Sequence, residues 1–167
     1  MRPTERIKEA QRVLEAEARA IFASSKKISL NFSKCIDLII DCKGTVVISG
    51  IGKSGNIGKK ITSTLASLGT PSIFLHTSDA FHGDLGILRK DDLLICISNS
   101  GETDELVRLL NYAKRNGIKS IAITGNVNST ISKEASISLN SSVESEACPL
   151  NLAPTCSTSV TMALGDA

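Results

Sequence analysis

Four short runs of β-branched and aliphatic residues, separated by stretches of helical period, constrain this chain more than any other feature. The runs are Thr45-Val46-Val47-Ile48-Ser49, Ser72-Ile73-Phe74-Leu75-His76, Asp92-Leu93-Leu94-Ile95-Cys96-Ile97-Ser98 and Ser120-Ile121-Ala122-Ile123-Thr124, with Ile137-Ser138-Leu139 as a weak fifth. Helical stretches lie between them, from Asn56 to Leu68, Glu102 to Asn116 and Ser129 to Glu134. Such alternation predicts a parallel sheet with helices on both faces. The first, third and fourth runs lack polar alternation, so both of their faces should be buried. Upstream, Ile7, Ala10, Leu14, Ala18 and Ile21 recur at spacings of three and four. They predict an amphipathic helix from Thr4, its N-cap, to about Ser24. A second helix is expected from about Asn31 to Asp41, with Phe32, Cys35, Ile36, Ile39 and Ile40 on one side. With no repeat, low-complexity tract or linker, the chain divides into a helical arm over 1–42 and one globular domain over 43–167.

Composition narrows the function. Of 167 residues, 41% are hydrophobic and 22% charged, as in ordinary soluble proteins. A net charge of +2 provides no concentrated basic face for nucleic acid. With four Phe, one Tyr and no Trp, there is no platform for stacking bases. No apolar run reaches the ~18 residues of a membrane span, and the charged N-terminus shows no signal peptide. Five cysteines, none in a C-x-x-C pair, read as reduced thiols of a cytoplasmic protein.

Gly50-Ile51-Gly52-Lys53-Ser54-Gly55 follows the first strand and opens a helix, which presents amides and a positive helix end to an anion. Its spacing fits the dinucleotide fingerprint, but His76 and Thr77 stand where that motif expects an acid. A nucleotide-triphosphate loop would need glycine in place of Val47. What remains is a loop for a smaller phosphate-bearing ligand, with Lys53 and Ser54 at its rim, or a plain tight turn with Lys53 in solvent. After the third strand, Ser98-Asn99-Ser100-Gly101-Glu102-Thr103 brings three hydroxyls to a helix start. One hydroxyl would serve as a cap, so three favour a phosphate monoester. Both loops leave neighbouring strands at their carboxyl ends, where open α/β sheets bind ligands.

These two loops resemble the SIS domain, the sugar-isomerase fold that binds phosphosugars. His82-Gly83-Asp84-Leu85-Gly86, Ser145-Glu146-Ala147-Cys148-Pro149-Leu150-Asn151-Leu152-Ala153-Pro154-Thr155 and Gly165-Asp166-Ala167 are similar to segments of the arabinose-5-phosphate isomerases. The resemblance runs from about Glu9 to Ala167. It implies a three-layer α/β/α sandwich on a five-stranded parallel sheet, and a homotetramer. It also implies interconversion of D-arabinose 5-phosphate and D-ribulose 5-phosphate, toward the lipopolysaccharide sugar Kdo. By motif it marks Lys53, Glu105 and Glu146 as catalytic and His82 as a sugar contact. Ser54, Ser98, Asn99, Ser100, Gly101 and Thr103 would hold the phosphate end. Gly69, Thr70, Ser142, Val143 and Glu144 would lie near substrate. No cofactor is required, and His76 matches a position that binds an inhibitory zinc ion. The family continues into CBS domains and supplies a catalytic histidine from an H-P-G-G segment; neither occurs before Ala167, so reduced turnover is expected of this chain.

Aldose–ketose isomerisation moves a proton between C1 and C2 through a cis-enediol. It needs a base, a proton shuttle between two oxygens, and stabilisation of the enediolate. Glu146, among apolar neighbours, is expected to have a raised pKa and to act as the base, with Glu105 as shuttle or the two exchanged. Lys53 would stabilise the developing charge. A non-catalytic phosphosugar sensor, or a truncated core, would share the loops without needing Lys53, Glu105 and Glu146 together.

Overall fold

A computed structural model describes residues 2–81 and 83–167. The chain opens with helices α1 (Pro3–Ser25) and α2 (Leu30–Ile40), then alternates: β1 (Val46–Gly50), α3 (Gly52–Ser67), β2 (Ser72–Phe74), α4 (Thr77–Phe81), a 3-10 turn (Asp84–Ile87), β3 (Leu93–Ile97), α5 (Asp104–Arg115), β4 (Lys119–Thr124), α6 (Thr130–Glu134), β5 (Ile137–Asn140) and α7 (Cys156–Asp166). The five strands form one parallel sheet in the order β2-β1-β3-β4-β5. β1 and β3 are therefore neighbours, with Gly50 beside Ile97 at their carboxyl ends.

Each strand sends alternate side chains to opposite faces. Val47, Leu94, Cys96 and Ala122 pack with Leu106, Leu109, Leu110 and Ala113 of α5 and Ile131 of α6. Val46, Ile48, Leu93, Ile95, Ile97, Ile121 and Ile123 pack on the other face with Ile61 of α3 and Cys35 of α2. Two covered faces explain why β1 and β3 are apolar throughout: every residue of both is buried. All five cysteines are unpaired. Among the described residues no helix is long and apolar enough to cross a membrane.

Several sequence expectations need correction. Arg2 is the N-cap of α1, Pro3 takes the first helical position, and Thr4 lies inside the helix. Proline suits that position because its missing N–H has no intrahelical partner there. Glu5 completes the start by accepting the Arg2 amide at 2.7 Å. The apolar face of α1 is present as expected and is left uncovered by the rest of the chain: Ile7 is 60%, Leu14 69% and Ile21 39% exposed. It is the flank carrying Arg12 and Glu17 that meets the rest of the molecule, through Ala147 and Ser159 of α7 and its approach. Helix α3 begins at Gly52, not near Asn56, so the glycine loop is itself the first helical turn. Close packing decides this, since a Cβ at Gly55 would meet the Gly50 carbonyl oxygen at 2.7 Å. Helix α7 carries no apolar stripe to read, because its buried side chains are Cys156, Ser157, Val160 and Thr161.

Candidate active site

The loop after β3 is the most highly organised part of the carboxyl edge. Ser98 Oγ lies 2.9 Å from Thr103 Oγ1 and 3.4 Å from Ser100 Oγ. It also accepts the Gly101 amide at 3.1 Å, while Ser100 Oγ accepts the Glu102 amide at 3.3 Å. The three hydroxyls thus converge at the start of α5, where amides and the helix dipole favour an anion. Ser98 is buried, whereas Asn99 and Ser100 are exposed and Thr103 half-buried. Ser98 organises the loop from beneath, and Ser100 and Thr103 form its open rim. Gly101 turns the chain at φ +70°. The loop is anchored to the end of β4, since the Asn99 carbonyl accepts the Gly125 amide at 3.1 Å. Glu102 reaches across to α6 and accepts from the Thr130 amide at 3.0 Å and hydroxyl at 2.7 Å. Those two bonds hold its carboxyl below the usual range.

The loop after β1 is open by comparison. Lys53 is exposed, Ser54 half-buried, and Gly52 has φ +59°. A cavity of about 330 Å³ is lined by Gly50, Gly52, Lys53, Asn56, Lys59 and His76, among others. Lys59 Nζ sits over the Phe74 ring, 5.3 Å from its centroid, within cation–π reach. His76 Nδ1 accepts the Ser78 amide at 3.3 Å. Among the described residues no group of three or more His, Cys, Asp or Glu is gathered for a metal ion.

Glu105 stands half-buried in the first turn of α5, directly after the hydroxyl loop. Glu146 lies on the irregular segment joining β5 to α7. Its Oε2 accepts from the Thr155 amide at 2.8 Å, the Thr155 hydroxyl at 3.1 Å and the Ser157 amide at 3.2 Å. Burial pushes this carboxyl up, but the hydrogen bonds from Ser157 and Thr155 outweigh it and hold Glu146 below its ordinary value. The expected rise is therefore corrected: burial does raise this carboxyl, but the donors at the start of α7 together outweigh it. Among the described residues no hydrogen bond or ion pair joins Lys53, Glu105 and Glu146 to one another.

The remaining predicted residues fall in different places. Gly69 (φ +88°) and Thr70 close the far end of α3, with the Thr70 amide on Leu65 O at 2.9 Å. A 16-residue helix, roughly 24 Å long, separates them from Lys53, so one chain does not bring them to the carboxyl edge. Ser142, Val143 and Glu144 follow β5 and line a cavity of about 470 Å³ against α1. Lys27 there donates to the Ser142 carbonyl at 2.6 Å and hydroxyl at 2.9 Å. His82 lies outside the described residues. Sequence reasoning missed Thr155, Asn151 and Arg12. Thr155 stands at a helix start, a legible cap signal, whereas Arg12 donates to Ala147 O, 135 residues away, with no local sign.

The SIS domain family model matches residues 38–167. An arabinose 5-phosphate isomerase of Pseudomonas aeruginosa, KdsD, is 51% identical over 161 residues, covering 96% of this chain and 49% of that protein. The arabinose 5-phosphate isomerase KpsF of Escherichia coli O6:H1 strain CFT073 is 49% identical over 162 residues, covering 96% of this chain and 50% of that protein. The chain spans about half the length of these curated relatives. A solved structure of an E. coli CFT073 protein in complex with arabinose 5-phosphate superposes with a TM-score of 0.95 at 39% identity, covering 99% of this chain and 88% of that one.

Proposed function

We propose that this chain, which belongs to the SIS domain family, interconverts D-arabinose 5-phosphate and D-ribulose 5-phosphate. The observation that carries the proposal is the convergence of the Ser98, Ser100 and Thr103 hydroxyls at the start of α5, one strand from Lys53. A phosphate monoester needs many donors in one concavity, and this loop has them in place before a ligand arrives. The identity of about half the residues to KdsD and KpsF enzymes supports the choice of pentose.

The reaction takes the proton from C2 of the aldose, delivers a proton to C1, and transfers the hydroxyl proton from O2 to O1. Lys53 stabilises negative charge on the enediolate oxygens. Glu105, beside the phosphate loop, takes the role of base. Glu146 is held ionised through Oε2 and serves as a fixed acceptor for a sugar hydroxyl. A zinc ion at His76 would be inhibitory, and His76→Ala would lose that inhibition. Gly69 and Thr70 reach a substrate only from another copy, and the uncovered Ile7, Leu14 and Ile21 face of α1 provides an apolar surface for a second copy. Both support a homotetramer; sedimentation of Leu14→Lys as smaller species would support that surface. The pathway served is Kdo synthesis, and the compartment is the cytoplasm.

Incubation with arabinose 5-phosphate in deuterated water tests the activity. NMR should show deuterium entering the sugar as ketose forms. Ligand-induced thermal stabilisation without exchange would instead favour a phosphosugar sensor.

A further inference from the structure

We propose that the Thr155 side chain is a positioning residue for Glu146: its hydroxyl fixes carboxylate oxygen Oε2 and the adjoining backbone at one point, and so presents the carboxylate to the sugar in one orientation. This rests on the role given to Glu146 above. Glu146 belongs to a segment with no regular secondary structure between β5 and α7. A glutamate on such a segment would keep its rotamer freedom, which opposes a fixed carboxylate. Here that freedom is removed by a closed set of contacts. Thr155 Oγ1 donates to Glu146 Oε2 at 3.1 Å and accepts the Ala147 amide at 2.8 Å. One hydroxyl therefore ties the carboxylate and the neighbouring backbone to the same point. The Glu146 amide donates to Asn151 Oδ1 at 2.7 Å, and Arg12 Nη2 of α1 donates to Ala147 O at 2.6 Å.

The Thr155 amide and hydroxyl and the Ser157 amide all meet Oε2, and the Ser157 side chain adds a further hydrogen bond to this carboxylate. The Thr155 and Ser157 amides among them are backbone groups that any residue but proline supplies. The Thr155 and Ser157 hydroxyls are the contributions that depend on side-chain identity, and that of Thr155 also accepts the Ala147 amide, tying the carboxylate to the neighbouring backbone. The charged and titratable groups packed around the segment include Arg12 with Glu9, Glu17 and Arg19 from α1, Lys27 just after it, Glu144 and Cys148 within the segment, and Cys156 on α7. A change at Thr155 leaves each of them in place.

The test compares the whole chain with Thr155→Val and Thr155→Ser. It measures kcat and KM for arabinose 5-phosphate, the melting temperature, and the titration midpoint of Glu146 by carbon-13 NMR. Thr155→Val should lower kcat about tenfold with KM changed less than about twofold, and should raise the Glu146 midpoint. Thr155→Ser should restore both. Ser159→Ala, which breaks the 2.6 Å bond from α7 to Glu17, should leave kcat and the midpoint unchanged. The proposal is overturned if Thr155→Val matches the parent in the midpoint, if Thr155→Ser is equally impaired, or if Ser159→Ala is as harmful. Thr155→Ala replaces Thr155→Val should the latter not fold. A parent chain without turnover would sink the isomerase reading alone, because the NMR midpoint still decides what Thr155 does.

Discussion

The loops after β1 and β3 leave neighbouring strands at one edge of the sheet, and each opens a helix, yet they are built in opposite ways. Residues 98–103 form a side-chain network that is closed on itself, with Gly101 so tightly enclosed that a Cβ would run into the Ser129 and Thr124 hydroxyl oxygens. Residues 50–55 rely on backbone: a Cβ at Gly52 would meet nothing, and Lys53 extends into solvent. The contrast is between a cradle bonded through its own side chains and a single exposed cation. A rigid cradle loses little freedom when a phosphate enters it. An exposed lysine side chain at a helix start can follow charge as it moves from one oxygen to another during the reaction.

That division can be broken by substitution. The largest expected effect is on turnover: Lys53→Met should lower kcat by about 10²–10³-fold, the scale of losing one charge-stabilising group. Its melting temperature should stay at the parent value, and a clear drop would show that Lys53 holds the fold as well. Next comes Gly101→Ala, expected to cost about 2–4 kcal/mol in urea denaturation, because both φ and space oppose a methyl group. Gly52→Ala should cost only about 1–2 kcal/mol, the left-handed backbone penalty alone. Equal losses would erase the distinction between the loops. Ser100→Ala should weaken arabinose 5-phosphate binding by roughly 0.5–3 kcal/mol in calorimetry, with little change in stability.

The smallest effect concerns acid. Thr130 holds the Glu102 carboxyl below its ordinary 4.5. A depressed folded-state value means that this stability is complete above the unfolded pKa and is lost as pH falls through the folded one. Glu102→Gln should therefore flatten the decline in melting temperature as pH falls below the ordinary carboxylate value of 4.5. An unchanged acid profile would show that the Glu102–Thr130 contact does not help to close the loop after β3.

Much of this was legible because it is local. Val46, Val47 and Ile48 announce a doubly buried strand, and three hydroxyls in six residues announce a cradle. The helix start at Gly52 was not legible, because glycines disfavour helix and only the approach of Gly55 to Gly50 compensates. The apolar stripe of α1 was legible as a stripe, but its exposure was not. Periodicity says that a face is apolar and does not say what covers it.

Chain order alone therefore determined the alternation of strand and helix, the parallel sheet, and the two loops at neighbouring strand tips, since each follows from period and turn chemistry within a few residues. Tertiary structure decided the state of Glu146. Apolar neighbours along the chain suggested a base with a raised pKa, but folding places Oε2 against the Thr155 and Ser157 amides at the start of α7 and favours the ionised form. The reason is physical: the affinity of a carboxylate for its proton is set by the donors and solvent within a few ångströms, and those come from whichever segment packs there.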